Sequence, residues 1–216
     1  NKIHDLQTHF DPIVSIFNAE GRELQAADNH FFADPMLSYQ LPAAGKYFLQ
    51  IRDTTYAGNP SWVYAIQATR GPVATSVFPR VVNPGKPASL SAEGLSFDSK
   101  RPINLDVPKG DDAVSSYFDL PTDRGKTLPF PLVVSSLPIV LEKGDTSNKV
   151  AEAQKVELPA AISGRLGEPG DIDVFAFQAS KGMVYAFEVI ARRIYSECDP
   201  VVYLLNAAGG PIVETD

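Results

Sequence analysis

Short stretches of alternating apolar and polar residues recur along this chain, and the three-to-four-residue spacing of an amphipathic helix is almost absent. Alternation with a period of two places successive side chains on opposite faces of a β-strand. We predict strands at residues 46–52, 62–68, 174–178 and 184–189. In the last two, the predicted core face carries Phe175, Phe177, Tyr185, Phe187 and Val189. Turn-forming residues, among them 18 prolines and 15 glycines, separate the stretches, so the pattern indicates an all-β fold of β-sandwiches.

One stretch of the chain occurs twice. Residues 11–28 match residues 199–216 without a gap, at a constant offset of 188 positions. The identical pairs are Asp11/Asp199, Pro12/Pro200, Val14/Val202, Asn18/Asn206, Ala19/Ala207, Gly21/Gly209 and Asp28/Asp216. Because the match preserves both an apolar stretch and the turn after it, we infer an internal repeat. The chain then begins inside one copy of a module and ends at the matching point of the next copy, as a fragment of a larger protein would.

The segment between the two copies has a strand pattern of its own. Its strand candidates are residues 88–91, 103–107 and 132–135. Their size and spacing are typical of a small immunoglobulin-like sandwich. We therefore predict three parts: residues 1–72 as the C-terminal part of a first module, 73–146 as the sandwich, and 147–216 as the N-terminal part of a second module. Residues 143–153, rich in Gly, Asp, Ser, Asn and Lys, are predicted to be an exposed linker.

Two sets of short motifs carry a family resemblance. In the second copy they are Leu158-Pro-Ala-Ala-Ile-Ser-Gly164, Pro169-Gly-Asp-Ile-Asp-Val-Phe-Ala-Phe177, Lys181-Gly182, Tyr185-Ala-Phe-Glu-Val189 and Asp199-Pro200. In the first copy they are Asp11-Pro12, Asn18-Ala-Glu-Gly21, Leu41-Pro42 and Gly45-Lys-Tyr-Phe-Leu-Gln-Ile51. This pattern resembles the bacterial pre-peptidase C-terminal (PPC) domain, and together the two copies cover about two-thirds of the chain.

The resemblance implies tandem, jelly-roll-like β-sandwich modules that flank an immunoglobulin-like or IPT-like segment, as in large exported proteins of the planctomycete type. Such modules are accessory parts that act in adhesion, substrate targeting, spacing or assembly. The resemblance also implies an extracytoplasmic location, whether periplasmic, secreted or on the cell surface. Some members of the family bind calcium and others bind extracellular polymers.

Charge and apolar content exclude several classes of partner. The formal net charge is −7, and no cluster of Lys and Arg offsets it, so the chain is unsuited to a phosphate backbone. No apolar stretch approaches the roughly 18 residues that a transmembrane helix needs. The lone Cys198 excludes an internal disulfide framework but does not decide the compartment, and we expect it to be buried.

Two groups of polar residues are candidates for calcium binding. Asp171 and Asp173 lie on the same side of an extended chain and would supply two of the six to eight oxygens that Ca²⁺ requires. Asp28 and Asn29, with the matching Asp216, form the second group. The alternative role for these carboxylates is to cap turns and keep a strand end polar. No complete EF-hand or calcium nonapeptide repeat is present.

Exposed aromatic residues are the other candidate binding feature. Trp62, at a predicted strand start, and Tyr56 would stack on sugar rings if exposed, although alternating aromatics more often form a core. His4, His9 and His30 lack the spacing of a zinc site, and no nucleophile elbow or phosphate loop occurs.

The sequence therefore predicts a non-catalytic structural or interaction segment and not an enzyme. Its expected partners are neighbouring domains or other protein subunits. The alternative is a calcium-dependent accessory module that binds a glycan or a protein.

Overall fold

The computed structural model of the chain describes residues 10–30, 34–144 and 149–215, which fall into two compact units, Asn1–Thr69 and Arg70–Asp216. Strands predominate, and the helices in the described ranges are two single 3-10 turns, Val150–Glu152 and Arg192–Ile194. The prediction of an all-β fold is confirmed. Within these ranges no helix is long and apolar enough to cross a membrane.

The first unit contains one antiparallel sheet of three strands. These are β1 (Pro12–Phe17), β2 (Glu23–Ala27) and β3 (Phe48–Asp53), in the order β2-β1-β3. The predicted strand at residues 46–52 is thus β3, displaced by one or two residues. The central strand β1 buries Ser15, which is 1% exposed. One edge of β1 pairs with β2 and the other with β3, so both of its hydrogen-bonding edges are occupied.

The second unit begins with a β-sandwich. Its strands are β4 (Val73–Phe78), β5 (Val81–Val82), β6 (Pro87–Leu95), β7 (Ile103–Asp106), β8 (Ala113–Thr122) and β9 (Gly125–Val134). They form two three-stranded sheets, β4-β6-β7 and β5-β9-β8. Alternate residues of both sheets meet in one apolar core, in which Leu90, Leu120 and Leu132 are fully buried. The strand candidates 88–91, 103–107 and 132–135 fall in or overlap β6, β7 and β9.

Shorter strands follow the sandwich. They are β10 (Ile139–Leu141), β11 (Gln154–Lys155), β12 (Ala161–Ser163), β13 (Phe175–Ala176), β14 (Val202–Leu205) and β15 (Pro211–Thr215). β10 pairs with β12 and β11 with β13, each pair parallel, and β14 pairs antiparallel with β15. Of the predicted linker, residues 145–148 lie outside the described residues.

Arg80 joins the sandwich to these later segments. Its guanidinium donates a hydrogen bond to the Ile194 carbonyl at 2.7 Å and lies over the Phe130 ring, 4.5 Å from its centroid. Its backbone N–H donates to the Ser163 hydroxyl at 3.0 Å. Burial, assisted by the nearby positive charge of Arg165, lowers the pKa of Arg80 from 12.5 to about 10. A small apolar cluster of Val81, Val133 and Ile194 surrounds this junction.

The hairpin β14–β15 has the register of β1–β2. The corresponding cross-strand pairs are Val14/Ala27 and Val202/Thr215, Ser15/Ala26 and Tyr203/Glu214, Ile16/Gln25 and Leu204/Val213, and Phe17/Glu23 and Leu205/Pro211. Every pair is displaced by the same 188 positions, and the register shifts at the same point of both hairpins. Over the described residues, the two matching segments thus form the same kind of strand–turn–strand element.

The two turns correspond as well. The Asn18 side chain accepts a hydrogen bond from the backbone N–H four residues later at 2.8 Å, and Asn206 does the same at 3.0 Å. Gly21 and Gly209 have φ of +79° and +85°. That left-handed conformation favours glycine, which explains why Gly recurs at this position of both turns. Asn recurs because its side chain accepts the hydrogen bond within the turn.

Several strand predictions are wrong. Residues 62–68 and 184–189 form no strand, and of residues 174–178 only Phe175–Ala176 does. The predicted core face in this region is largely open, with Tyr185 36%, Phe187 50% and Val189 50% exposed. The alternation is present in the sequence, but no described strand pairs with residues 62–68 or 184–189, and of residues 174–178 only Phe175–Ala176 pairs, with Gln154–Lys155. A strand needs a partner as well as a pattern.

Candidate functional site

The most elaborate polar site in the first unit is the turn that follows β3. The Asp53 side chain is buried, 5% exposed, although it is a carboxylate. Its Oδ1 accepts hydrogen bonds from the Thr55 hydroxyl at 2.6 Å and from the backbone N–H groups of Thr55 and Ala57 at 2.9 and 3.2 Å. Its Oδ2 accepts from the backbone N–H of Asp11 at 3.2 Å. The carboxylate thus ties the end of β3 to the start of β1.

These donors stabilise the ionised form of Asp53. The hydrogen bond from the Thr55 side chain, with those from backbone N–H groups, outweighs the opposing effect of burial and lowers the pKa of Asp53 from 3.8 to about 2. Asp11 and residues 53–57 together form what we call the polar corner. The Asp11 carboxylate accepts a hydrogen bond from the Thr54 hydroxyl at 3.1 Å, and the Asp11 carbonyl accepts one from the Thr54 N–H at 2.9 Å. The sequence pattern identifies Asp11 only as a repeated residue, and it does not identify Asp53. The run Asp53-Thr54-Thr55 directly after a strand was the signal for such a turn.

The same turn presents Tyr56. Its φ of +59° is held by a hydrogen bond from its N–H to the Asp53 carbonyl at 3.1 Å. The ring is 78% exposed, and the Arg52 guanidinium lies 4.5 Å from its centroid. One face of the ring is therefore occupied by a cation, and the tyrosine is accessible to a partner at its edge and other face.

Trp62 lies in a different aromatic group. It stacks on Phe10 with ring centroids 5.5 Å apart and an interplanar angle of 24°, and Tyr64 lies 6.4 Å from Phe10. Trp62 is half-buried, since Phe10 covers one of its faces. Tyr64 also contributes to a shallow, open depression with Phe17, Phe48 and Leu49.

The calcium candidates have separate local roles. The Asp171 carboxylate accepts a hydrogen bond from the Gly167 N–H at 2.7 Å and so closes a turn. Asp173 Oδ2 and Glu142 Oε2 both lie beside Gly164, 3.2 and 3.1 Å from the point that a Cβ on that residue would occupy. Glu142 was not foreseen. Its Oε2 also accepts from the Arg165 N–H at 2.6 Å.

The second calcium candidate is exposed. Asp28 and Asn29 follow β2 at the surface, and the matching Asp216 lies outside the described residues, as do His4 and His9. In residues 10–30, 34–144 and 149–215, no group of three or more His, Cys, Asp or Glu side chains is arranged to hold a metal ion. The Asp171 carboxylate thus accepts a local hydrogen bond, and the Asp173 carboxylate lies beside Gly164. Calcium binding stays a prediction.

Apolar side chains are exposed in a band of the second unit. Val184 is 93% exposed and Met183 65%, and the Phe177 ring lies 5.3 Å from that of Phe187 and 5.8 Å from that of Tyr185. We call residues 177 and 183–189 the aromatic face. Cys198, expected to be buried, is only half-buried.

The structure therefore offers two candidate binding features, the exposed aromatic face and the polar corner at Asp53. Neither contains a nucleophile activated by a base among the described hydrogen bonds. No family model, curated protein or solved structure matches this chain.

Proposed function

We propose that this chain is a structural and interaction segment of a larger exported multidomain protein, built from tandem PPC-like modules around an immunoglobulin-like sandwich. It acts in adhesion, targeting, spacing or assembly, outside the cytoplasm. Its partners are neighbouring domains of the parent protein or other subunits.

The aromatic face is the observation that carries this proposal. Soluble monomeric proteins rarely expose a contiguous group of apolar side chains on their surface. Such exposed apolar patches mark surfaces that another protein covers. Val184, at 93% exposure, gains most from such cover. At about 25 cal/mol per Å² of apolar area, burying several of these side chains supplies the driving force for association.

The shared geometry of the two hairpins supports the modular part of the proposal. Cross-strand pairs, the register shift, the Asn hydrogen bond and the left-handed Gly all correspond at an offset of 188 residues. Duplication of one ancestral strand–turn–strand element explains this correspondence.

Hydrogen exchange tests the proposal. Residues 184–189 should exchange fast in the isolated chain and become protected in the full-length parent protein or on binding its partner subunit. Residues 127–134 of β9, in the sandwich core, should be protected in both samples and serve as the internal reference. Equal exchange of residues 184–189 in both samples would show that the aromatic face is not an interaction surface.

The second candidate is a calcium-dependent glycan- or protein-binding module, favoured by the Glu142 and Asp173 carboxylates, which both lie beside Gly164. Two carboxylates beside one backbone position provide part of a Ca²⁺ shell. Calorimetric titration with Ca²⁺ should then show binding that Asp173→Asn removes and Asp28→Asn retains. The absence of a calcium-dependent heat from the wild-type chain would eliminate this candidate.

A further inference from the structure

One end of the sandwich carries basic side chains that the sequence does not place together. Residues 96–101 connect β6 to β7, and residues 121–126 contain the turn between β8 and β9. The Asp98 N–H donates a hydrogen bond to Asp123 Oδ1 at 3.0 Å and so joins the two segments across 25 positions of the chain. We call these two segments the basic end, because they carry four basic and two acidic side chains, a net charge of +2. The basic residues are Lys100, Arg101, Arg124 and Lys126.

The two carboxylates of the basic end are engaged within it. Asp123 Oδ1 accepts the Asp98 N–H, and Asp123 Oδ2 lies 3.6 Å from Arg124 Nε. Asp98 Oδ1 accepts the Lys100 N–H at 3.0 Å, and the Asp98 carbonyl accepts the Arg101 N–H at 3.2 Å. The acidic residues therefore hold the backbone from which the basic side chains project.

The four basic side chains are exposed. Among the described residues, Arg124 is the one of the four that lies in an ion pair, and its side chain is still 75% exposed. The Asp98 N–H chiefly, with the positive charges of Arg124 and Arg101, lowers the pKa of Asp123 below its ordinary 3.8. The charges of the two segments thus act on one another, and the basic side chains face solvent as a group.

The opposite end of the sandwich has no such excess of charge. There, residues 83–86 and 107–112 are joined by a hydrogen bond from the Gly85 N–H to the Pro108 carbonyl at 3.0 Å. These segments carry two basic and two acidic side chains, which cancel. The four residues are Lys86, Lys109, Asp111 and Asp112. The positive charge is therefore a property of one end, in a chain whose net charge is −7.

The chemistry of the basic end selects among anionic partners. Arg binds carboxylates through paired N–H donors, and Lys binds them as a point charge. A membrane-binding surface would add an apolar anchor, but the one large apolar side chain of the two segments, Phe97, packs against the sandwich core. The dense phosphate charge of a nucleic acid is repelled by the negative charge of the rest of the chain. A polysaccharide with one carboxylate per sugar has a lower charge density and suits four separate basic side chains.

From these observations we propose that the basic end of the sandwich binds an acidic polysaccharide through its sugar carboxylates. The inference rests on the proposed role in adhesion or targeting for its setting, and it goes beyond that role because it names a ligand class and a surface. That surface is separate from the aromatic face and includes none of the calcium candidates.

Oligomers of galacturonic acid are the probe. Fluorescence anisotropy of a labelled oligomer, titrated with the whole chain at low salt and with a calcium chelator present, should show binding. The affinity should fall as the salt concentration rises, because exposed charges are screened. Oligomers of galactose, which have the same ring but no carboxylate, should not bind.

Two double variants lower the net charge of the chain equally but at opposite ends of the sandwich. Lys100→Gln with Arg101→Gln should weaken binding about five- to tenfold, the range for two exposed ion pairs. Lys86→Gln with Lys109→Gln should leave the affinity within about twofold. All four side chains are exposed, and the hydrogen bonds of Lys100 and Arg101 come from their backbone N–H groups, so both variants should unfold at the wild-type urea concentration.

Several results would overturn the inference: no binding at millimolar oligomer, an affinity independent of salt, or equal effects of the two double variants. Tighter binding of an oligonucleotide or of anionic lipid vesicles, lost in Lys100→Gln with Arg101→Gln, would assign the basic end to another partner. Each of these failures leaves the proposed function intact if residues 184–189 still become protected in the parent protein. If the oligomer binds as described but that protection is absent, the aromatic face proposal fails and the basic end stands.

Discussion

Asp53 shows how a single carboxylate organises a connection between strands. Four hydrogen bonds converge on its two oxygens, from Asp11, Thr55 and Ala57, and its side chain is enclosed. The cluster serves the fold first, because it fixes the end of β3 against the start of β1. It also orients Tyr56, the most exposed aromatic residue of the turn.

The lowered pKa of Asp53 makes the first unit sensitive to acid. The folded state holds the pKa at about 2, below its ordinary 3.8, so the carboxylate stabilises the unit fully above pH 3.8 and loses this contribution as the pH falls through 2. Thermal unfolding followed between pH 2 and 5 should show this loss. Asp53→Asn should lower the unfolding temperature at neutral pH and flatten the acid dependence, whereas Asp28→Asn should do neither.

Gly94 is a second residue on which local structure depends. A Cβ at this position would lie 2.7 Å from Phe97 Cε1 and 2.9 Å from Ala74 Cα, and would also meet the Val73 carbonyl oxygen. β4 approaches β6 this closely where their register shifts between Ala74 and Ser76. The glycine is thus required by contact with backbone.

Gly94→Ala should therefore destabilise the second unit by about 1–3 kcal/mol, as overpacking does. Gly110→Ala is the matched control, since nothing lies within 4 Å of its added Cβ. Urea denaturation measures both variants. Equal stabilities would contradict the close approach of β4 to Gly94.

At the scale of elements, sequence and structure agree where pairing partners are close in the chain. The Asn-Ala-x-Gly turn predicts the position of both hairpin turns. Alternation of apolar and polar residues predicts β3 and parts of β6, β7 and β9. Residues 62–68 and 184–189 alternate equally well but remain unpaired. Pairing depends on distant chain segments that a local pattern does not contain, which is why these strands were predicted and not found. β8 was missed because the consecutive polar residues Ser115 and Ser116 interrupt its alternation of apolar and polar side chains.

The candidate sites, like the strands, are predictable from the sequence only where they depend on residues that are close in the chain. Tyr56 is exposed, as its turn composition indicates, whereas the half-burial of Trp62 depends on Phe10, 52 residues earlier. The junction at Arg80 joins residues separated by up to 114 positions, and no local motif marks it. Only the folded chain shows that Arg80 connects two groups of elements.

Arg80→Met should test that connection. The variant keeps much of the apolar volume but loses the hydrogen bond to the Ile194 carbonyl and the contact over Phe130, at a cost of about 2 kcal/mol. Hydrogen exchange near residues 192–196 should accelerate more than in the sandwich core. Arg124→Met, whose side chain is 75% exposed, should change neither stability nor exchange.

At the scale of the whole molecule, burial is distributed unevenly. The fully buried leucines lie in the sandwich, at Leu90, Leu120 and Leu132, whereas residues 183–189 expose most of their apolar surface. Local stability follows the density of buried contacts. The sandwich is therefore the most stable part of the second unit.

Limited proteolysis should follow this distribution. Chymotrypsin should cleave first at the exposed aromatic residues of 177–187 and leave the sandwich, residues 73–134, intact, although that segment contains Phe118 and Phe130. Mass spectrometry of early fragments identifies the cuts. An initial cut inside β8 or β9 would contradict the inferred order of stability.

The shared turn of the two hairpins gives the molecule an internal reference for measurement. Asn18→Ala deletes the hydrogen bond from the Arg22 N–H beside a three-stranded sheet. Asn206→Ala deletes the corresponding bond from the Gly210 N–H, and a second one from the Ala208 N–H, beside a two-stranded sheet. The difference between their effects reports the combined contribution of the neighbouring strand and of this second hydrogen bond. Few proteins offer that comparison within one polypeptide, under identical solvent, temperature and concentration.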